Sequence, residues 1–176
     1  LLVLNVNVKA VVVFPLPEPL PPPLLSSLQS VTGYDEESFI EVHESGEQVT
    51  SIRINPYKIE SPQQLKFQTA GKIPWSSCGY YLPERPSFTT DPLFHGGAYY
   101  VQEASSMFLE EVVKQTCAIT KALKVLDLCA APGGKSTLLQ SLISPGSLLV
   151  SNEVIKTRVN ILSENITKWG AANVIV

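Results

Sequence analysis

Residues 125–137, VLDLCAAPGGKST, limit what this chain can fold into more than any other stretch. An apolar, strand-like run takes in Asp127 and gives way at once to small residues, two glycines, a lysine and two hydroxyls. That succession is the signature of a strand that turns tightly into a helix. Strand–turn–helix units of this kind build parallel α/β sheets, in which ligands sit beyond the carboxyl ends of the strands. Gly133 and Gly134 lack a Cβ, so a ligand can approach the backbone closely there. The amides of the turn, with those opening the next helix, are expected to point outward unpaired and to favour acceptor or negative groups. For the same reason, Gly133→Val is expected to push a side chain into the path of the ligand.

Beyond the turn the pattern continues. A helix is expected over 135–143, ended by Pro145-Gly146, then a strand at 147–151, SLLVS. An amphipathic helix over 155–169 carries Ile155, Val159, Leu162, Ile166 and Trp169 on one stripe, with Gly170 as its C-cap. Residues 173–176 begin a third strand. With 124–128 read as a buried first strand, the order strand, helix, strand, helix, strand predicts a parallel sheet with right-handed crossovers. Ahead of it, 98–102 (AYYVQ) reads as a short strand and the next residues as a helix with Ala104, Met107, Phe108 and Val112 on one face.

The first half is less regular. Residues 3–13 alternate weakly as a strand, and 15–23, PLPEPLPPP, read as an extended linker. A short helix is expected at 24–28, then an acidic, solvated stretch from Asp35 to Glu47. SIRIN at 51–55 alternates as a half-buried strand, and a helix opened by Ser61-Pro62 is expected over 61–66. The division expected is a leader at 1–23, a small α+β domain at 24–88, and at 89–176 the first part of a doubly wound, Rossmann-like α/β domain.

Thirteen basic against sixteen acidic residues give a formal net charge of −3, so no global basic excess announces nucleic acid. Arg53, Lys58, Lys66, Lys72 and Arg85 interleave with Tyr57, Phe67, Trp75, Tyr80 and Tyr81, which suits single-stranded RNA or, more simply, a small-domain core. Cys78, Cys117 and Cys129 form no disulfide or zinc pattern and fit a reducing, cytoplasmic setting. His43 and His95 stand alone without metal spacing, and Arg158 reads as a surface helix residue. The apolar start falls short of the roughly 18 residues of a membrane span, so no membrane partner is expected. The chain lacks an initiating Met and ends at NVIV, which reads as a piece of a longer protein.

Three ligands compete for the turn. A phosphate loop needs GxxxxGK[ST], and Cys129 stands where its first glycine belongs. A dinucleotide fingerprint needs GxGxxG, which CAAPGG does not supply. A methyl-donor turn needs an acid ending the first strand and a second acid after the next one, to hold ribose hydroxyls, and Glu153 sits there.

DLCAAPGGKST, with YYVQEASSM at 99–107 before it, resembles the RNA cytosine-C5 methyltransferases of the RsmF and Sun/Fmu family, which includes the NOL1-NOP2-Sun proteins. The resemblance covers roughly residues 50–176. It implies S-adenosylmethionine as cofactor, an RNA substrate, ribosomal in the first place, and 5-methylcytosine as product. Cys129, Ala130, Ala131, Pro132, Gly133, Gly134 and Lys135 match the family's cofactor turn, and Glu153 matches its ribose-binding acid. The nucleophilic and proton-removing cysteines of such enzymes lie in PCSG-like and TCS-like turns, and neither string occurs here. The resemblance therefore implies half an active site, with no catalytic residue in this chain and no methyl transfer by it alone. A P-loop-like nucleotide binder and a non-catalytic RNA-binding relative are the alternatives. The sequence leaves the oligomeric state open.

Overall fold

A computed structural model describes residues 19–176, so the strand expected at 3–13 and the first part of the linker at 15–23 lie outside the described residues. The described residues divide into two compact units, with the boundary between Gln48 and Val49. The first holds α1 (Pro22–Leu28) and α2 (Glu36–Glu44). Asp35 caps α2 by accepting from the Ser38 amide at 2.7 Å, and its acidic residues are solvated as expected.

The second unit contains two sheets. Strands β1 (Thr50–Ile54), β2 (Gly71–Lys72), β3 (Gly79–Leu82) and β4 (Tyr99–Val101) form an antiparallel sheet in the order β2-β3-β1-β4. The alternation in SIRIN predicts a half-buried strand, yet all five residues of β1 are buried, because helices cover one face and an aromatic core the other. That core gathers Ile52, Ile54, Phe88 and Tyr99 with Phe67 and Phe94. Residues 98–102, expected at the head of the second domain, complete the antiparallel sheet instead, Arg53 lying opposite Tyr100 and Ile54 opposite Tyr99. Over 61–66 only a 3-10 turn forms, Pro62–Gln64, closed by a capping box between Ser61 and Gln64.

Strands β5 (Lys124–Asp127), β6 (Leu148–Ser151) and β7 (Val174–Ile175) make the expected parallel sheet in the order β5-β6-β7. Its crossovers are α5 (Gly134–Leu142) and α6 (Lys156–Trp169), and Gly170 ends α6 with a left-handed φ of 89°. The β5 strand is buried on one face only. Val125, Leu149 and Val174 pack toward α5, whereas Leu126, Leu148 and Ile175 stand on the opposite face and are exposed.

Helix α5 lies between the two sheets. Leu138 and Leu142 join Ile73 and Met107 on the antiparallel side, while Leu139 and Ile143 join Leu149 on the parallel side. A helix covered all round needs small and apolar residues, which is why GKSTLLQSL carries one charge, Lys135, at its exposed start. The helix expected after Ala104 begins as a 3-10 turn, Ser105–Phe108, before α4 (Leu109–Thr116). That turn changes the helical phase. Met107 is buried as expected, but Phe108 and Val112 face solvent and Glu110 is buried in their place.

Candidate functional site

Strands β5 and β6 end side by side, and the CAAPGG turn is fastened across their carboxyl ends. The Asn152 amide donates to the Asp127 carbonyl at 2.8 Å, and the Ala130 amide donates to the Asn152 carbonyl at 2.9 Å. Asp127 closes the base of the turn. Its Oδ2 accepts from Ser136 Oγ at 2.7 Å and its Oδ1 from the Cys129 amide at 3.3 Å. Ser151 at the end of β6 donates to the same Ser136 hydroxyl at 3.0 Å. Ser136 is thus a buried junction of both strands with α5.

Glu153 reaches back over the turn. Its Oε2 accepts from the Ala131 amide at 3.3 Å and its Oε1 from the Ile155 amide at 2.9 Å. Arg158 Nη1 lies 3.6 Å from Oε2, and Arg158 Nη2 donates to the Ala131 carbonyl at 2.6 Å. The Ile155 amide first, with help from the Arg158 charge, holds the Glu153 carboxyl below the usual carboxylate range against partial desolvation. Asn165, two turns further along α6, donates to the Pro132 carbonyl at 2.8 Å.

These bonds correct one expectation. The amides of Cys129, Ala130 and Ala131 are paired within the chain, because the end of β6 and the Asp127 and Glu153 carboxylates reach them first. The open donors are at the start of α5, where no side chain caps the helix after Gly133. A second correction concerns the glycines. Gly133 has φ 117°, and a Cβ there would lie 3.4 Å from Asn165 Cβ and from Leu162 Cδ1. At Gly134 it would face Gln102 and Tyr100 of the antiparallel layer at 3.5 Å. A valine at 133 would therefore strain the backbone and bring its branches against Leu162 and Asn165 of α6, so a loss of fold is expected beside any effect on a ligand. Cys129, Pro132 and Lys135 are exposed around the turn, Ala130 and Ala131 buried beneath it. The Ala131–Pro132 peptide is cis.

Sequence reasoning missed Arg53. Its guanidinium, 2% exposed, donates through Nη2 to Thr137 Oγ1 at 2.6 Å and to the Gly134 carbonyl at 3.3 Å. Gln102 Oε1 accepts from its Nε at 2.9 Å, and the Trp169 ring lies 4.4 Å beneath its Cζ. Burial pushes the Arg53 pKa down to about 10. The glutamine of QEASSM therefore orients the arginine that holds the first turn of α5. The basic and aromatic set that suits RNA in the sequence is in part structural. Arg53 is buried, Lys58 donates to the Gly96 and Lys168 carbonyls, and Phe67 is packed against Phe88 and Tyr99. Tyr57, Lys66, Lys72 and Arg85 stay exposed.

The three cysteines are free. Among the described residues, no group of acidic, histidine or cysteine side chains is placed to hold a metal ion, and no helix is long and apolar enough to cross a membrane.

Comparison with known proteins matches two families along the chain. The N-terminal domain of 16S rRNA methyltransferase RsmF matches residues 20–104, and the 16S rRNA methyltransferase RsmB/F family matches residues 115–176. The ribosomal RNA small subunit methyltransferase F of Shewanella baltica (strain OS155) is 36% identical over 133 residues, which are 70% of this chain and 27% of that relative. The enzyme of the same name from Shewanella piezotolerans is 35% identical over 130 residues, with the same shares. The chain thus spans about a quarter of the length of these curated relatives. Among solved structures, a methyltransferase homologue from Pyrococcus horikoshii superposes with a TM-score of 0.65 and 29% identity, over 89% of this chain and 56% of the other. The crystal structure of PH0851 shares the fold, with a TM-score of 0.69 and 23% identity, over 86% of this chain and 34% of that one. With an RsmF-type N-terminal region leading into this parallel sheet and its CAAPGGK turn, the chain belongs to the RsmB/F family of 16S rRNA methyltransferases.

Proposed function

We propose that this chain supplies the cofactor-binding half of an S-adenosylmethionine-dependent methyltransferase that forms 5-methylcytosine in ribosomal RNA. One observation carries the reading: an uncapped helix opening at the carboxyl ends of two parallel strands, with a carboxylate at the end of the second. The first suits the carboxylate of an amino acid, through open amides and the helix dipole. The second suits ribose hydroxyls, because each Glu153 oxygen accepts one chain amide and keeps a further lone pair. In this assignment Cys129, Ala130, Ala131, Pro132, Gly133, Gly134 and Lys135 border the methionine end of the ligand and Glu153 its sugar. Bound there, S-adenosylmethionine would supply an electrophilic methyl group. Asp127, Ser136 and Ser151 keep the turn in register with both strands. The free thiols suit a reducing, cytoplasmic setting.

The Ser136 hydroxyl favours this reading over a phosphate loop. A phosphate loop offers that hydroxyl to Mg²⁺, and here it is buried and committed to Asp127. Titration calorimetry with S-adenosylmethionine and with ATP tests the assignment. Binding of the first and not the second is expected, and ATP binding with no response to the methyl donor would overturn it. The chain has no PCSG-like or TCS-like turn, so it is expected to transfer no methyl group to 16S rRNA on its own. Any turnover in a labelled-methyl assay would reject that part.

A further inference from the structure

Arg158 is the most committed polar side chain of the site that sequence leaves without a role. Its side chain is 45% exposed, whereas the Glu153 side chain beside it is 4% exposed. An ordinary surface arginine would make one loose ion pair. This one closes a ring: Nη2 donates to the Ala131 carbonyl at 2.6 Å, Nη1 faces Glu153 Oε2 at 3.6 Å, and the same Oε2 accepts from the Ala131 amide at 3.3 Å. One planar fork thereby meets the Ala131 carbonyl and a Glu153 oxygen, and that oxygen in turn accepts from the Ala131 amide. A lysine, with a single point of attachment, cannot span both acceptors in that way. Asn165 lies seven residues on, on the same face of α6, and grips the next carbonyl, that of Pro132. The helix thus holds two successive carbonyls of the turn from outside.

We propose that Arg158 is a positioning residue of the cofactor site, fixing the Glu153 carboxylate and the Ala131 peptide in one arrangement so that Glu153 meets the ribose of an adenosyl ligand. This rests on the S-adenosylmethionine assignment. Arg158 touches no ligand in this role and acts through Glu153. Among the described residues it is the charged group within ion-pair distance of that carboxylate, which otherwise faces backbone amides, those of Ala131 and Ile155 at hydrogen-bond distance.

Calorimetry on the full chain with S-adenosylhomocysteine tests it, with thermal melts to confirm that each variant folds. Glu153→Gln and Arg158→Met should each weaken binding about tenfold, the range for a hydrogen bond to a charged group. Arg158→Lys should recover part of that loss. Because the two act as a unit, Arg158→Met should cost nothing further in the Glu153→Gln background. The pH profile gives an independent readout. Loss of the arginine lets the Glu153 pKa rise, so binding by Arg158→Met should fail at higher pH than in the parent as the solution is acidified. Additive losses in the double variant, an unmoved acid limb, or tighter binding by Arg158→Met would each overturn the proposal. A parent chain that binds no adenosyl ligand would reject the cofactor assignment itself, whereas a parent that binds and an Arg158→Met variant that binds equally would reject only the positioning role.

Discussion

The two sheets of the second unit differ in how they use their faces. The antiparallel sheet is covered on both sides along β1, while the parallel sheet packs Val125, Leu149 and Val174 on α5 and leaves Leu126 and Ile175 to solvent. The consequences are chemical. The parallel sheet does its polar work at the strand ends, where Asp127, Ser151 and Glu153 fasten the turn and the start of α5. The antiparallel sheet buries its polar work, placing Arg53 in the seam against α5 with carbonyls, a hydroxyl and an amide oxygen as partners and no carboxylate. The first arrangement ties the turn to the ends of two strands. The second fixes where α5 must lie.

If the seam is what fixes α5 and α6, breaking it should cost more than any change at the strand ends. The largest effect is expected at Gly97, between α3 (Pro92–His95) and β4. Its φ is 65°, and a Cβ there would sit 2.1 Å from the Lys168 carbonyl oxygen at the end of α6. Backbone cannot yield as a side-chain tip can, so Gly97→Ala should destabilise the chain by about 3 kcal/mol or more, read from urea denaturation. Arg53→Met should come next. It keeps a long apolar stem over Trp169 but strips the hydrogen bonds to Thr137, Gly134 and Gln102, for about 2–3 kcal/mol. If Arg53→Met were as stable as the parent, the arginine would be a passenger and packing alone would hold the seam.

The same contrast explains what could be read from the chain in advance. The turn and the acid beside it are legible because they are near in sequence, Glu153 standing twenty-two residues after Ala131. Short spacings, a strand–turn–helix pattern and one parallel crossover were enough to bring them together. Arg53 and Thr137 are 84 residues apart, and no periodicity links SIRIN to GKST. The alternation in SIRIN was misleading because it reports one buried face, and β1 has two. The phase of α4 was lost to a 3-10 turn that no local signal announced. The pairing of the turn amides was missed for a related reason. Glycines suggest an open loop, but whether a neighbouring strand end reaches those amides depends on register.

Glu110 sharpens the comparison from the opposite charge. It ties α4 to the antiparallel layer, accepting from Ser76 Oγ at 2.8 Å and from the Ser77 amide at 2.9 Å, with Lys114 Nζ at 2.6 Å. Burial pushes its pKa up, but the hydrogen bonds from Lys114, Ser77 and Ser76 outweigh that and leave it below the ordinary glutamate value. A carboxyl whose folded pKa is depressed contributes stability that is present above its unfolded pKa, about 4.3, and lost as pH falls through the lower folded value. Arg53, charged throughout that range, contributes no such dependence. Glu110→Gln should therefore cost about 1 kcal/mol near neutrality, a modest figure because Lys114 is partly exposed and its pairing is screened. The deficit relative to the parent should shrink as the solution is acidified below about pH 4, because the parent then loses the same ionised contact. A deficit that stayed constant through that window would mean Glu110 holds the layers together by shape, with its charge contributing nothing.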